Sequence, residues 1–231
     1  MLNLEKRLEK IFLNRFNHLL VLIVVLLLAI PFARSTGQRG VADLFVMVVF
    51  AASNILILRI MIVRPRRFWV SAAIILAVIT ADGVVQLTDA LWAEKFMIVA
   101  DIAYVIFLTV FLQYLIKFLF NEKKVTDDSI KGGICTYLLL GVTWGIVYRL
   151  LLFFDPAAFL VQGQAGPNLF YFSYVTLTTV GYGDIVPATH FAQTLAFMEA
   201  VTGQMFIAIF IARLMGLHIA HVVSKKDEAH L

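Results

Sequence analysis

The sequence predicts an all-α membrane protein with six transmembrane helices and one re-entrant, half-length helix between the fifth and the sixth. Three observations predict this class. Of 231 residues, 61% are hydrophobic and only 15% charged, against about half and about a quarter in a soluble domain. The 19 basic and 15 acidic residues gather in short clusters between long apolar blocks, most of them near the ~20 residues that cross a hydrocarbon core of about 30 Å. The blocks are apolar on every side, whereas the strands of a membrane barrel alternate polar and apolar residues. One cysteine and five prolines exclude a disulfide scaffold and low-complexity disorder. A dispersed net charge of +4 is too small to imply a nucleic-acid partner.

Taken in order, residues 1–15 place Leu4, Leu8, Ile11 and Phe12 on one helical face and Glu5, Lys6, Glu9 and Lys10 on others, which suits a short helix lying on a membrane surface. The first span, 16–33, is the weakest, with only Leu19–Ile30 unbroken. A basic start before an apolar run also describes a signal peptide. Pro31-Phe32-Ala33-Arg34-Ser35 offers no persuasive cleavage site, so the segment reads as a retained helix. Spans at 41–63, 68–85 and 96–120 complete a four-helix unit over 16–120. A linker at 121–131 leads to spans at 132–154 and 191–218 and a tail at 219–231.

Lys and Arg set the orientation. With the N-terminus cytoplasmic, the inner side holds Lys6, Arg7, Lys10, Arg15, Arg59, Arg64, Arg66, Arg67, Lys117, Lys123, Lys124, Lys131, Arg213, Lys225 and Lys226. The outer side keeps Arg34, Arg39, Lys95 and Arg149. Both termini are expected in the cytoplasm, with lipid around the spans, and the small size suits a bacterial inner (plasma) membrane.

The long stretch between Asp155 and Pro187 carries the most informative residues, Thr178-Thr179-Val180-Gly181-Tyr182-Gly183-Asp184. This heptad resembles the selectivity-filter signature of the six-transmembrane, single-pore-loop potassium channels. The resemblance implies a filter of Thr179, Val180, Gly181, Tyr182 and Gly183, supported by Thr178 and Asp184, with K+ as the permeant ion at Thr179, Val180, Gly181 and Tyr182. The physical reading stands beside it. A potassium ion entering a narrow pore needs oxygens in place of its water, and neutral carbonyls bind it without trapping it. Consecutive inward carbonyls require alternating signs of φ, which Gly181 and Gly183 supply at little cost. The preceding residues, Asn168–Thr178, are too few to span and resemble a pore helix capped by Asn168. One filter per chain implies a homotetramer, with the pore domain covering 132–218.

Within the last span, Gly203 stands 20 residues beyond Gly183, where the resemblance places an inner-helix hinge; close helix packing is the competing reading. Ile207, Ile211 and Met215 follow as candidate cavity and gate lining. Glu199, one turn before Gly203, is costly in a membrane unless paired or hydrated, and serves as a structural brace or as a proton-linked regulator. Voltage-gated relatives carry a row of arginines in the fourth helix. Residues 96–120 contain none, only Asp101 and Lys117, so strong voltage gating by this helix is not expected and the four-helix unit reads as a degenerate sensor. The residues after His218 are too few for a ligand-sensing domain, which leaves an unidentified regulatory partner open. His190 beyond the filter reads as inert rather than as a pH sensor, and Cys135 as a small buried apolar residue. No catalytic constellation appears, so neither an enzyme nor a cofactor is expected. Two alternatives to a potassium-selective channel remain: a weakly selective cation channel and a non-conducting membrane scaffold or regulatory subunit.

Overall fold

The computed structural model describes residues 15–35, 55, 92–122, 124–162 and 166–229. Among these lie α1 (Arg15–Ser35), α2 (Trp92–Asn121), α3 (Asp127–Phe154), β1 (Phe159–Val161), α4 (Leu169–Leu177), β2 (Ile185–Pro187) and α5 (His190–Ala229). Three stretches are long and apolar enough to cross a membrane, Ile98–Asn121, Asp127–Phe154 and His190–Ala220, while α1 holds a shorter apolar stretch, Phe16–Leu28. The interfacial helix expected before residue 15 and the spans expected at 41–63 and 68–85 lie outside the described residues, Ile55 apart.

The chain divides into two compact units, Met1–Tyr114 with Ile130–Cys135, and Leu115–Ser129 with Thr136–Leu231. In the first, α1 buries Phe16, Leu19, Ile23 and Leu26, a stripe at helical spacing. Tyr104, Leu108 and Phe111 of α2 are buried on the same spacing. Cys135 is fully buried, its thiol 3.8 Å from the Phe16 carbonyl oxygen.

In the second unit, α3 starts earlier than hydropathy suggests. The Ser129 amide donates to Thr126 Oγ1 at 3.1 Å and the Thr126 amide to Ser129 Oγ at 3.2 Å. This reciprocal cap, with Asp127 and Asp128 in the first turn, satisfies orphan amides and favours the positive end of the helix. The linker expected over 121–131 is therefore helical from Asp127 onward. At its other end α3 stops at Asp155, whose amide still donates to Leu151 O at 2.8 Å.

The all-α expectation needs amendment. β1 and β2 pair antiparallel, Phe159 opposite Pro187, Leu160 opposite Val186 and Val161 opposite Ile185. Three residues per strand are too short for a periodicity signal, and their partners are far apart in sequence. The hairpin covers one end of a core of Tyr148, Leu151, Ala158, Phe159, Leu169, Phe172, Ile185 and Ala192. Within it the rings of Tyr148, Phe159 and Phe172 meet edge to face, with centroids 5.1–5.6 Å apart, the arrangement aromatic quadrupoles favour. α5 also departs from expectation: it runs to Ala229, eleven residues past His218. Hydropathy falls there, yet Lys225, Lys226, Glu228 and Ala229 sustain a helix in water.

Candidate functional site

The site is built around α4. Asn168 caps it, its side chain accepting from the Tyr171 amide at 3.2 Å, and α4 then runs nine residues to Leu177, about 14 Å by the helical rise. Leu169, Phe172, Ser173 and Leu177 are buried, so one face of this short helix is held by α3 and α5. Gly141 and Gly145 of α3 make that approach possible: an added Cβ would run into the Tyr174 ring at the first and stand 2.6 Å from the Phe170 ring at the second. The Gly-x-x-x-Gly spacing is a known close-packing pattern between helices in membranes.

The end of α4 hands its hydrogen bonds to the segment that follows. A helix leaves its last four carbonyls without intrahelical partners. Here Tyr174 O accepts from the Thr178 amide (3.0 Å), Thr176 O from Thr179 (2.9 Å), and Val175 O from both Val180 (2.9 Å) and Gly181 (3.3 Å). Leu177 O accepts from the Tyr137 hydroxyl at 3.2 Å, and Thr178 Oγ1 donates to Tyr174 O at 2.6 Å. Four successive amides, 178 to 181, thus point back into α4. Among the described residues no hydrogen bond reaches the carbonyl oxygens of Thr179, Val180, Gly181 or Tyr182.

The backbone alternates as it leaves the helix. Thr179 (φ 60°), Gly181 (φ 59°) and Gly183 (φ 78°) are left-handed, while Val180 and Tyr182 between them are not. Thr179 is the member of the set that composition conceals, since left-handed φ in a β-branched residue is a genuine outlier. Such strain costs about 1–3 kcal/mol and persists only where the surroundings enforce it. The far end is tied down by the hairpin: the Gln162 amide donates to Asp184 O at 2.9 Å and Gln162 Nε2 to Gly183 O at 3.2 Å. Tyr171 lies beside the Asp184 side chain. Val180 and Tyr182 are exposed in the single chain, Tyr182 by 72%; any partner surface for them is outside one chain.

On α5, Gly203 is buried, and a Cβ there would stand 2.7 Å from both Leu177 O and Leu177 Cδ1. Its first structural role is close approach to the end of α4. Ile207 is half-buried, and Ile211 and Met215 are more than half exposed. Glu199, fully buried, accepts from the Tyr148 hydroxyl at Oε2 (2.6 Å) and lies 2.5 Å from Ser173 Oγ at Oε1. Ser173 Oγ also donates to Gly141 O at 2.8 Å. Glu199 thus ties α3 and α4 to α5. His190 opens α5. Sequence reasoning missed Tyr137, Tyr148, Ser173 and Gln162. Only the Gly141–Gly145 spacing offered a signal, because the others act through long-range partners. Further along α5, the Arg213 guanidinium reaches the end of α2, donating to Leu119 O at 3.3 Å, Glu122 O at 2.9 Å and Phe120 O.

Residues 136–217 match the protein family described as "Ion channel", so the matched region begins in α3 and ends on α5. A curated relative, Two-pore potassium channel 4 of Arabidopsis thaliana, is 42% identical over 64 residues, which are 28% of this chain and 21% of that protein. The chain therefore spans about a fifth of the length of the relative it matches. No solved structure matches it significantly.

Proposed function

We propose that this chain, whose residues 136–217 carry an ion-channel domain of the potassium-channel kind, conducts K+ passively through a homotetrameric pore. The observation that carries the reading is the run of four unclaimed carbonyls, Thr179 to Tyr182, on a backbone of alternating φ. With the amides of residues 178–181 bonded into α4, this segment has oxygens left over for a cation and no negative charge to trap it. Four copies around one axis would supply the several oxygens that replace a hydration shell. Thr178 anchors the inner end and Asp184, through Gln162, the outer end. The exposed Val180 and Tyr182 side chains and the exposed face of α5 are surfaces that neighbouring copies would cover.

In this reading α5 is the inner helix, with Ile207, Ile211 and Met215 toward the cavity and an apolar constriction that closes by dewetting. Gly203 is both the contact with α4 and the hinge. Glu199 braces the helix that carries the filter. The six-span topology, cytoplasmic termini, location in a bacterial inner membrane, surrounding lipid and any regulatory partner belong to the same proposal. So does the absence of strong voltage gating, since residues 96–120 hold no arginine while each charge moved through 100 mV contributes only about 2.3 kcal/mol. The comparisons place the matched segment with channels and not with enzymes, and the chemistry calls for no cofactor beyond the permeant ion.

Purified protein in liposomes loaded with K+ and diluted into Na+ tests this directly. The expected result is K+ efflux well above Na+ flux. Equal fluxes would replace selectivity with weakly selective cation conduction, and no flux under any applied stimulus would favour a scaffold or regulatory subunit.

A further inference from the structure

The end of α2 receives a side chain from another helix. Its last turn holds no basic residue, and the negative end of a helix with orphan carbonyls favours a cation. Arg213 supplies it from α5. Nε donates to Leu119 O at 3.3 Å and Nη2 to Glu122 O at 2.9 Å and to Phe120 O. The guanidinium carbon lies 5.1 Å from the centroid of the Phe120 ring. One side chain therefore meets three carbonyls and an aromatic face, a combination the planar guanidinium fork permits and an ammonium does not. α2 is one unbroken helix from Trp92 to Asn121.

The position of Arg213 makes this more than a cap. α5 is pinned at Gly203, where Leu177 of α4 leaves no room for a Cβ. Beyond the Tyr137–Phe206 ring pair, 6.3 Å between centroids, Arg213 is the next polar tie on α5 among the described residues. It lies ten residues past Gly203, a lever of about 15 Å. A kink of about 20° at Gly203, the onset of a sharp bend, displaces it by about 5 Å, beyond hydrogen-bond reach.

We propose that Arg213 is a latch: by gripping the end of α2 it holds the inner helix unbent, and bending at Gly203 requires its release. The latch rests on the proposed channel function and its Gly203 hinge.

The test compares wild type with R213Q and R213K in liposome K+ flux and single-channel recording, together with hydrogen exchange of the backbone amides at the end of α2. R213Q is expected to raise the open-to-closed ratio about fivefold or more, within the usual range of allosteric coupling, and to speed exchange at the end of α2, with K+ over Na+ selectivity unchanged. R213K, keeping the charge but not the fork, should fall between. Faster exchange with an unaltered open fraction would overturn the latch and leave a plain helix cap; unaltered exchange would overturn the contact itself. A wild type that passes no ion while R213Q still exchanges faster would overturn the channel reading and the gating role with it, and would preserve the clamp.

Discussion

The hydroxyl of Tyr148 on α3 donates a 2.6 Å hydrogen bond to Oε2 of Glu199 on α5, in a site closed to solvent. The other carboxylate oxygen lies 2.5 Å from Ser173 Oγ. Ser173 has one hydroxyl hydrogen, and Gly141 O, 2.8 Å away, is an acceptor only. If that hydrogen goes to Gly141, the bond between Ser173 and Glu199 must be donated by the acid. Every group is satisfied when Glu199 carries a proton: Glu199 donates to Ser173, Ser173 to Gly141 and Tyr148 to Glu199. An uncharged acid is also the form that membrane burial tolerates.

Glu199→Gln should therefore be nearly neutral, within about 0.5 kcal/mol, because its amide reproduces one donor and one acceptor in the same places. Glu199→Ala orphans the Tyr148 hydroxyl and opens a cavity, and should cost about 3 kcal/mol or more. Thermal unfolding of the purified assembly checks both. Infrared spectroscopy at neutral pH should show a protonated-carboxyl band that disappears in Glu199→Gln. A band for an ionised carboxylate lost in its place would refute the proton count.

A second prediction concerns Gly203. A methyl group there meets Leu177 Cδ1 and Leu177 O, both at 2.7 Å, and a backbone oxygen at the end of α4 cannot step aside without moving the segment that follows. Gly203→Ala should cost about 1–3 kcal/mol, the range for overpacking. Leu177→Ala in the same chain removes the Cδ1 contact and leaves the oxygen, so it should recover part of that loss. A double-mutant cycle on thermal stability measures the coupling, and full additivity would show that the two residues do not press on each other.

How much of this was legible from residues alone follows from how local each cause is. The α4 helix and its Asn168 cap, and the glycines at 181 and 183, are set by neighbours in sequence, and the motif that contains them was readable. Left-handed Thr179 was not, because nothing in a threonine announces positive φ; the amides bonded into α4 impose it. The β1–β2 hairpin joins residues about 26 apart through three-residue strands. The extra turns of α5 were hidden because hydropathy reports where a membrane ends, and a helix of Lys, Glu and Ala continues regardless. Arg213 counted in sequence only as an inner-side charge, since its partners are carbonyls, which every residue has.

Gln162 offers a third test. Its side chain donates to Gly183 O at 3.2 Å, and its amide to Asp184 O at 2.9 Å. Gln162→Ala removes only the first bond, worth about 0.5–1.5 kcal/mol. Global stability should change little, while the outer end of the proposed filter loses one restraint. The expected readout is lower K+ over Na+ selectivity in liposome flux with an unaltered melting temperature. Unchanged selectivity would show that the hairpin holds Gly183 without the Gln162 side chain.

The sharpest test of the proposed filter separates backbone direction from side-chain volume. At Gly181 and Gly183 a Cβ would meet nothing within 4 Å in the single chain, yet both residues are left-handed, with φ 59° and 78°. Gly181→Ala and Gly183→Ala therefore leave one chain's packing alone and act through φ, at about 1–2 kcal/mol per site. That penalty favours a peptide flip, which in the proposed pore turns one carbonyl away from the axis. Each variant should keep the wild-type elution volume in size-exclusion chromatography and lose K+ over Na+ discrimination. Retained discrimination in both would mean that carbonyl direction is not what selects the ion, and the filter reading would fall with it.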